Sequence, residues 1–136
     1  MAATFFKWDD SLSVQIPEID NQHQKLIEII NSLYDAFMNQ ALSERVNEII
    51  KDLTDYAGYH FTTEEKYFDR FNYEKTQEHK KEHKDFVNKL EDFKAKADRN
   101  PKALTYEMMT FLRNWLQDHI KGTDRQYVEC FKSNGL

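Results

Sequence analysis

Glycine and proline are scarce in this chain, with three and two among 136 residues. Folds built from many short strands and turns need more of both, and so do flexible or proline-rich linkers, so a strand-and-turn architecture and a string of modules are both disfavoured. The single cysteine, Cys130, excludes an intrachain disulfide and a cysteine-rich structural zinc site, and fits a reducing compartment. Excess positive charge is absent as well: the formal net charge is −5 and the lysines alternate with acids, leaving no basic stripe for a nucleic acid backbone. No apolar run approaches the roughly 20 residues that span a bilayer, and the opening MAATFFKWDD lacks the basic and apolar regions of a secretory signal. The expectation is a soluble, cytoplasmic, single domain over 1–136 with no membrane contact and no nucleic acid partner.

What the chain does have is helical periodicity along most of its length. After an irregular N-terminal arm through about Ile16, a helix is predicted from Pro17, where a proline costs nothing because its missing N–H needs no partner. Ile16, Ile19, His23, Leu26, Ile27, Ile30, Leu33, Tyr34 and Phe37 mark its apolar face. A polar break at Asn39 to Ser43, with Ser43 as cap, introduces a second helix to about Arg70 with Val46, Ile49, Ile50, Leu53, Tyr56, Ala57, His60, Glu64, Tyr67 and Phe68 inward. Phe71-Asn72-Tyr73 reads as a corner. A third helix, from about Glu74 to Asp98, aligns His79, His83, Phe86, Leu90 and Phe93. Asn100-Pro101 then supplies a cap and a first-turn proline for a fourth helix carrying Leu104, Met108, Phe111, Leu112, Trp115, Leu116, His119 and Ile120. Gly122 is expected to cap that helix, and a short C-terminal helix with Tyr127, Val128 and Phe131 to fold back. Four helices of about 20 residues joined by short loops predict an all-α, up-down-up-down antiparallel four-helix bundle.

All five histidines, His23, His60, His79, His83 and His119, fall within these apolar stripes. Two carboxylates keep register with them: Glu64 one turn after His60, and Asp124 after His119 across a break containing Gly122. Singly, each has an ordinary reading as a hydrogen-bonded core histidine, a solvated helix face or a helix cap. Together they do not. A spacing of four stacks side chains on one helical face, and burying so many imidazoles and carboxylates among Phe, Tyr, Ile and Leu costs several kcal/mol per uncompensated polar group. Metal cations compensate them.

Imidazole suits zinc, copper, iron and nickel, and two carboxylates placed to bridge favour a dinuclear iron site. With Glu64, Asp124 and a solvent-derived oxygen shared, five imidazoles divide three and two. One ion then has six ligands and the other five, leaving a single open position for a small diatomic ligand such as O₂. The ferritin-like alternative needs Glu-x-x-His, but the residues three before the histidines are Asp20, Ala57, Thr76, Lys80 and Leu116.

The segments WDDSLSVQIPEIDNQHQKL, YHFTTEE, HKKEH and NWLQDHIKGTD, spread over most of the chain, resemble a hemerythrin of the bacterial branch. The resemblance implies two non-haem iron ions joined by an oxo or hydroxo bridge and by Glu64 and Asp124. It also implies His79, His83 and His119 on the closed iron, with His23 and His60 on the iron that keeps the open position. By the same resemblance, Leu26, Phe61, Trp115 and Leu116 are candidates for an apolar O₂ pocket that keeps water out, a role they share with ordinary core packing. Trp8 resembles the aromatic anchor of the N-terminal arm. Near Gln15 bacterial relatives often carry a small residue, commonly glycine.

The implied function is reversible O₂ binding for storage, delivery or sensing, without catalysis. A sensory module that signals to a partner domain of a larger chemotaxis-type protein is a second reading, and peroxidase or nitric-oxide-related chemistry at the same irons a third. The open position and the absence of extra acid and base residues favour binding.

Overall fold

The computed structural model describes the backbone of residues 6–39, 42–97 and 99–136, and the side chains of all these except 42–44 and 101–102. Four helices, α1 (Pro17–Met38), α2 (Leu42–Arg70), α3 (Thr76–Lys96) and α4 (Pro101–Asn114), pack so that each touches the next and α4 closes against α1. Helical turns continue past α4 as a π-helical segment (Trp115–Thr123), a 3-10 turn (Asp124–Tyr127) and a short α5 (Val128–Ser133). Among the described residues there is no strand, and no helix is long and apolar enough to cross a membrane. The all-α bundle, its arm and its short C-terminal helix agree with the sequence pattern.

Local chemistry explains most boundaries. Pro17 opens α1, and the Asn100 side chain accepts from the Ala103 N–H at 3.2 Å to cap α4 ahead of Pro101. The corner after α2 is closed by the Tyr73 N–H on the Phe68 carbonyl at 3.0 Å, with Asn72 left-handed at φ 52. That corner runs longer than the sequence suggested, so α3 begins at Thr76 rather than Glu74 and ends by Lys96; its expected last residue, Asp98, lies outside the described residues. Helix α2 already begins at Leu42. The capping role of Ser43 falls on a side chain outside the described ones.

Gly122 is not a helix cap. Its backbone carries no positive φ and the chain continues through it in π-helical turns, so the expected break between His119 and Asp124 is instead continuous helix.

The arm is fastened to the bundle by side-chain hydrogen bonds. Asp20, in the first turn of α1, accepts from the Ser13 hydroxyl at 2.6 Å and the Val14 N–H at 2.8 Å. Arg125, next to Asp124, donates to the Ser11 carbonyl at 2.7 Å. Phe6 pairs its backbone N–H and carbonyl with the Asn31 amide, and Trp8 packs half-buried on the core. Gln15 sits in the left-handed region at φ 59, which explains why glycine suits this position.

The apolar interior divides in two. A larger cluster runs through Leu26, Leu33, Leu53, Phe86, Phe93, Leu112 and Leu116, and a smaller, aromatic-rich one joins Val14, Ile16, Ile19, Phe68, Tyr73, Tyr127 and Phe131. The histidines and carboxylates belong to neither. Antiparallel topology brings them to one level: the start of α1, the end of α2, the start of α3 and the turns after α4 lie at the same end of the bundle, and His23 lies six residues into α1 while Glu64 lies six before the end of α2.

Candidate metal centre

All seven residues singled out in the sequence are brought together. His23, Glu64 and Asp124 are 0% exposed and His60, His79, His83 and His119 at most 2%, so the solvated-face reading of His79 and His83 does not hold. They form two overlapping groups: Glu64, His79, His83, His119 and Asp124, and His23, His60, Glu64 and Asp124. Glu64 and Asp124 are common to both, and the imidazoles divide three and two.

The spacing fits cation ligands better than a hydrogen-bond network. Asp124 turns Oδ1 to His79 Nε2 at 2.8 Å and His119 Nε2 at 3.0 Å, and Oδ2 to His23 Nε2 at 3.1 Å. Glu64 Oε1 lies between His60 Nε2 at 3.2 Å and His83 Nε2 at 3.1 Å. Donors about 2.1 Å from a common ion sit about 3 Å from one another at right angles around it. The directions agree: both oxygens of each carboxylate and the Nε2 atoms of His23, His79, His83 and His119 make no properly directed hydrogen bond despite these distances. So many orphaned polar atoms in a native core call for a partner, and this donor set of imidazole and carboxylate without thiolate suits a first-row transition metal.

A second layer holds three of the imidazoles. The Nδ1 atoms of His60, His83 and His119 meet Gln22 Oε1 at 2.5 Å, Glu65 Oε2 at 3.0 Å and Glu82 Oε1 at 3.1 Å. Each partner is the sequence neighbour of a candidate ligand on one helix and serves a candidate ligand on the following one: Gln22 beside His23, Glu65 beside Glu64, Glu82 beside His83. One residue further along a helix is about 100° further round it, which aims the neighbour at the adjacent helix. The sequence reading missed all three, although adjacency to a ligand was the available signal. Such partners fix the ring tautomer and orientation, leaving Nε2 free to coordinate. Thr123 adds a hydroxyl to Glu82 at 3.1 Å and Thr63 accepts from Gln22 at 3.3 Å.

The π-helical segment places the last two candidate ligands, His119 and Asp124. Five residues apart on an α-helix, two side chains point about 140° away from each other. Here the Asp124 N–H bonds to the His119 carbonyl, the i to i+5 bond of a π-helix, and both side chains enter the same pocket.

A family model for the hemerythrin HHE cation binding domain matches residues 14–131. The chain belongs to the hemerythrin family. A bacteriohemerythrin of Clostridium acetobutylicum is 36% identical over 128 residues, covering 91% of this chain and 99% of the relative. A hemerythrin-like protein of Naegleria gruberi is 34% identical over 122 residues, 90% of each chain. The crystal structure of a hemerythrin point mutant superposes with a TM-score of 0.81 at 23% identity, over 93% of this chain and 97% of that one, a likeness of fold.

In this hemerythrin fold aromatic rings wall the three-imidazole side. Phe61 stacks on His83 and Trp115 on His119, each with ring centroids 3.8 Å apart, and Phe68 tilts against His79 at 4.6 Å. Leu26 and Leu116 are fully buried in the larger core cluster, while Trp115 is only partly buried. A groove of about 670 Å³ between α1 and α2 has Gln22 and Tyr56 among its lining residues.

Burial and the neighbouring charges pull the site's ionisable groups in opposite directions. Burial and the adjacent Asp124 favour a neutral Glu64, but the imidazoles of His60 and His83 outweigh them and lower its pKa. Burial likewise opposes ionisation of Asp124, and His119, His23 and His79 together hold it well below the usual carboxylate range. His119, despite burial, is raised to about 10 by Asp124 and Glu82; His83, despite burial, is raised by Glu64 and Glu65. Burial wins at His60, which is lowered. A site that draws protons onto imidazoles beside ionised carboxylates is one that a cation fills.

Proposed function

We propose that this chain holds two iron ions between the five imidazoles and two carboxylates and binds O₂ reversibly on the His23 and His60 side. The observation that carries this reading is the unequal division of ligands around a shared carboxylate pair. Asp124 directs one oxygen to each group, and Glu64 sets one oxygen between His60 and His83. One ion would be held by three imidazoles and the other by two, and that shortfall is where a small ligand would bind. Iron would supply the electrons that O₂ takes up on binding and returns on release. The chain's own residues do the rest: Gln22, Glu65 and Glu82 orient the imidazoles, the two carboxylates balance cationic charge, and the buried Leu26, Phe61 and Leu116 exclude water, while Trp115, half-buried over His119, covers the three-imidazole side. We read the site as binding rather than catalytic because, among the described residues, the polar groups around it serve as candidate ligands, their hydrogen-bond partners or phenols; a single cytoplasmic domain is part of the same proposal.

The test is iron per chain measured together with the visible spectrum through anaerobic reduction, O₂ addition and O₂ removal. Two irons and a spectrum that cycles support the reading; no iron, or oxidation that never reverses, sinks it.

A sensing role has one observation in its favour. Arg125 fastens the arm at Ser11 from the position next to Asp124, and Lys132 of α5 donates to the Gln15 carbonyl, so a shift at Asp124 would be felt by the arm. Hydrogen exchange in the arm with and without O₂ separates sensing from storage: protection that is the same in both states leaves storage or delivery.

A further inference from the structure

Resting on that reading, we propose that the hydroxyl of Tyr56 donates a hydrogen bond to the small ligand held on the His23 and His60 side, and so sets how long the ligand stays.

Tyr56 lies one turn before His60 on α2, and its ring stacks on the His60 imidazole with centroids 5.2 Å apart and planes 14° from parallel. The side chain is buried, and its hydroxyl has no hydrogen-bond partner. A buried hydroxyl left unsatisfied is costly, and a phenylalanine would fill the same volume without that cost. The polar tip is explained by a partner that arrives with the ligand. A phenol is un-ionised at neutral pH, so its O–H remains a donor.

The two sides of the centre differ in this respect. Phe68 and Trp115, which pack on His79 and His119, and Phe61, which stacks on His83 and tilts against His60 at 5.7 Å, bring no hydroxyl. Tyr127 is buried as well, but its ring packs against His79 at 5.7 Å on the three-imidazole side and its phenol lies beside Glu64. It is the natural control. Tyr56 also lines the groove between α1 and α2, so its ring stands between that groove and His60.

The experiment uses the iron-loaded full chain as wild type, Tyr56→Phe and Tyr127→Phe. It measures iron per chain, the O₂ release rate, azide affinity of the oxidised protein, and the ultraviolet resonance Raman hydrogen-bond markers of tyrosine before and after ligand addition. Loss of one hydrogen bond to a polar ligand predicts release about tenfold faster in Tyr56→Phe at unchanged iron content, with azide bound several-fold more weakly. The tyrosine marker should shift on ligand binding in wild type and in Tyr127→Phe, the two proteins that keep Tyr56. Release and azide constants within about twofold of wild type in an iron-replete Tyr56→Phe protein would overturn the proposal. If Tyr56→Phe fails to fold, the marker in wild type decides, and no shift on ligand binding is fatal. Wild type that holds iron but never releases O₂ refutes reversible binding alone, with the azide comparison still judging Tyr56. A chain that takes up no iron refutes both.

Discussion

His119 and Asp124 meet across the π-helical segment, Nε2 to Oδ1 at 3.0 Å, although five residues of ordinary helix would turn them apart. Asp124 also reaches His79 and His23, so it belongs to both halves of the centre. Asp124→Ala is therefore expected to lower iron well below one per chain, whereas His23→Ala should retain one. Metal analysis after identical loading distinguishes them, and equal losses in the two variants would show that Asp124 is not shared.

The histidine pattern was legible because α-helical periodicity repeats every three or four residues, and His60 with Glu64 and His79 with His83 obey it. So was the bundle, since antiparallel helices with short loops bring His23, Glu64 and His79 to one level. The π-helical segment was not legible. Gly122 looks like a helix terminus by propensity, yet its backbone stays helical, and tertiary demand for Asp124 beside His119 outweighs that local preference. The partners Gln22, Glu65 and Glu82 were hidden for a different reason. They serve candidate ligands on a neighbouring helix and lie outside the apolar stripe, so only their adjacency to a stripe histidine or glutamate points to them.

Glu82 gives the clearest test of that second layer. Its carboxylate is held below its ordinary pKa by the His119 hydrogen bond, with Thr123 bonded to the same oxygen. Glu82→Ala should weaken metal affinity by roughly 10- to 100-fold while leaving all seven ligands in place. Competition with a chelator measures this directly, and an unchanged affinity would make Glu82 a bystander.

Gln15 holds a left-handed backbone at φ 59 with its side chain exposed, so its conformation costs energy that its side chain does not visibly return. Relief of about 1–2 kcal/mol of steric cost, less about 0.5–1 kcal/mol for the greater freedom of the unfolded chain, predicts a net gain of roughly 0.5–1 kcal/mol for Gln15→Gly. Denaturant titration should move its midpoint upward with the slope unchanged. A lower midpoint would mean that the Gln15 side chain contributes a contact worth more than the strain.

Leu116 is fully buried and adjacent to Trp115, whose ring covers His119. Leu116→Ala should cost about 2–5 kcal/mol of stability through the cavity it leaves. If the residue also keeps water from the irons, oxidation in air should accelerate severalfold at full iron content. Stability lost with the oxidation rate unchanged would assign Leu116 to packing alone.

Metal and protons compete for the same imidazoles, which sets opposite pH responses for the metal-free and iron-loaded protein. Raised to about 10 in the folded metal-free chain, against about 6.5 when unfolded, His119 contributes stability that is complete below the unfolded value and lost as pH climbs toward 10. The lowered Glu64 and Asp124 contribute stability that is present above the ordinary carboxylate range and lost in acid. The melting temperature of the metal-free protein should therefore fall between pH 7 and pH 10. In the loaded protein the imidazole nitrogens carry metal rather than protons, and that decline should vanish. Iron binding should release protons, and uptake should weaken as pH drops, because His83 and His119 must lose theirs to coordinate. Calorimetric titration in buffers of different ionisation heat counts those protons. A count of zero near pH 7 would mean that His119 enters the metal centre already neutral, and the predicted alkaline decline of the metal-free protein would then be absent as well.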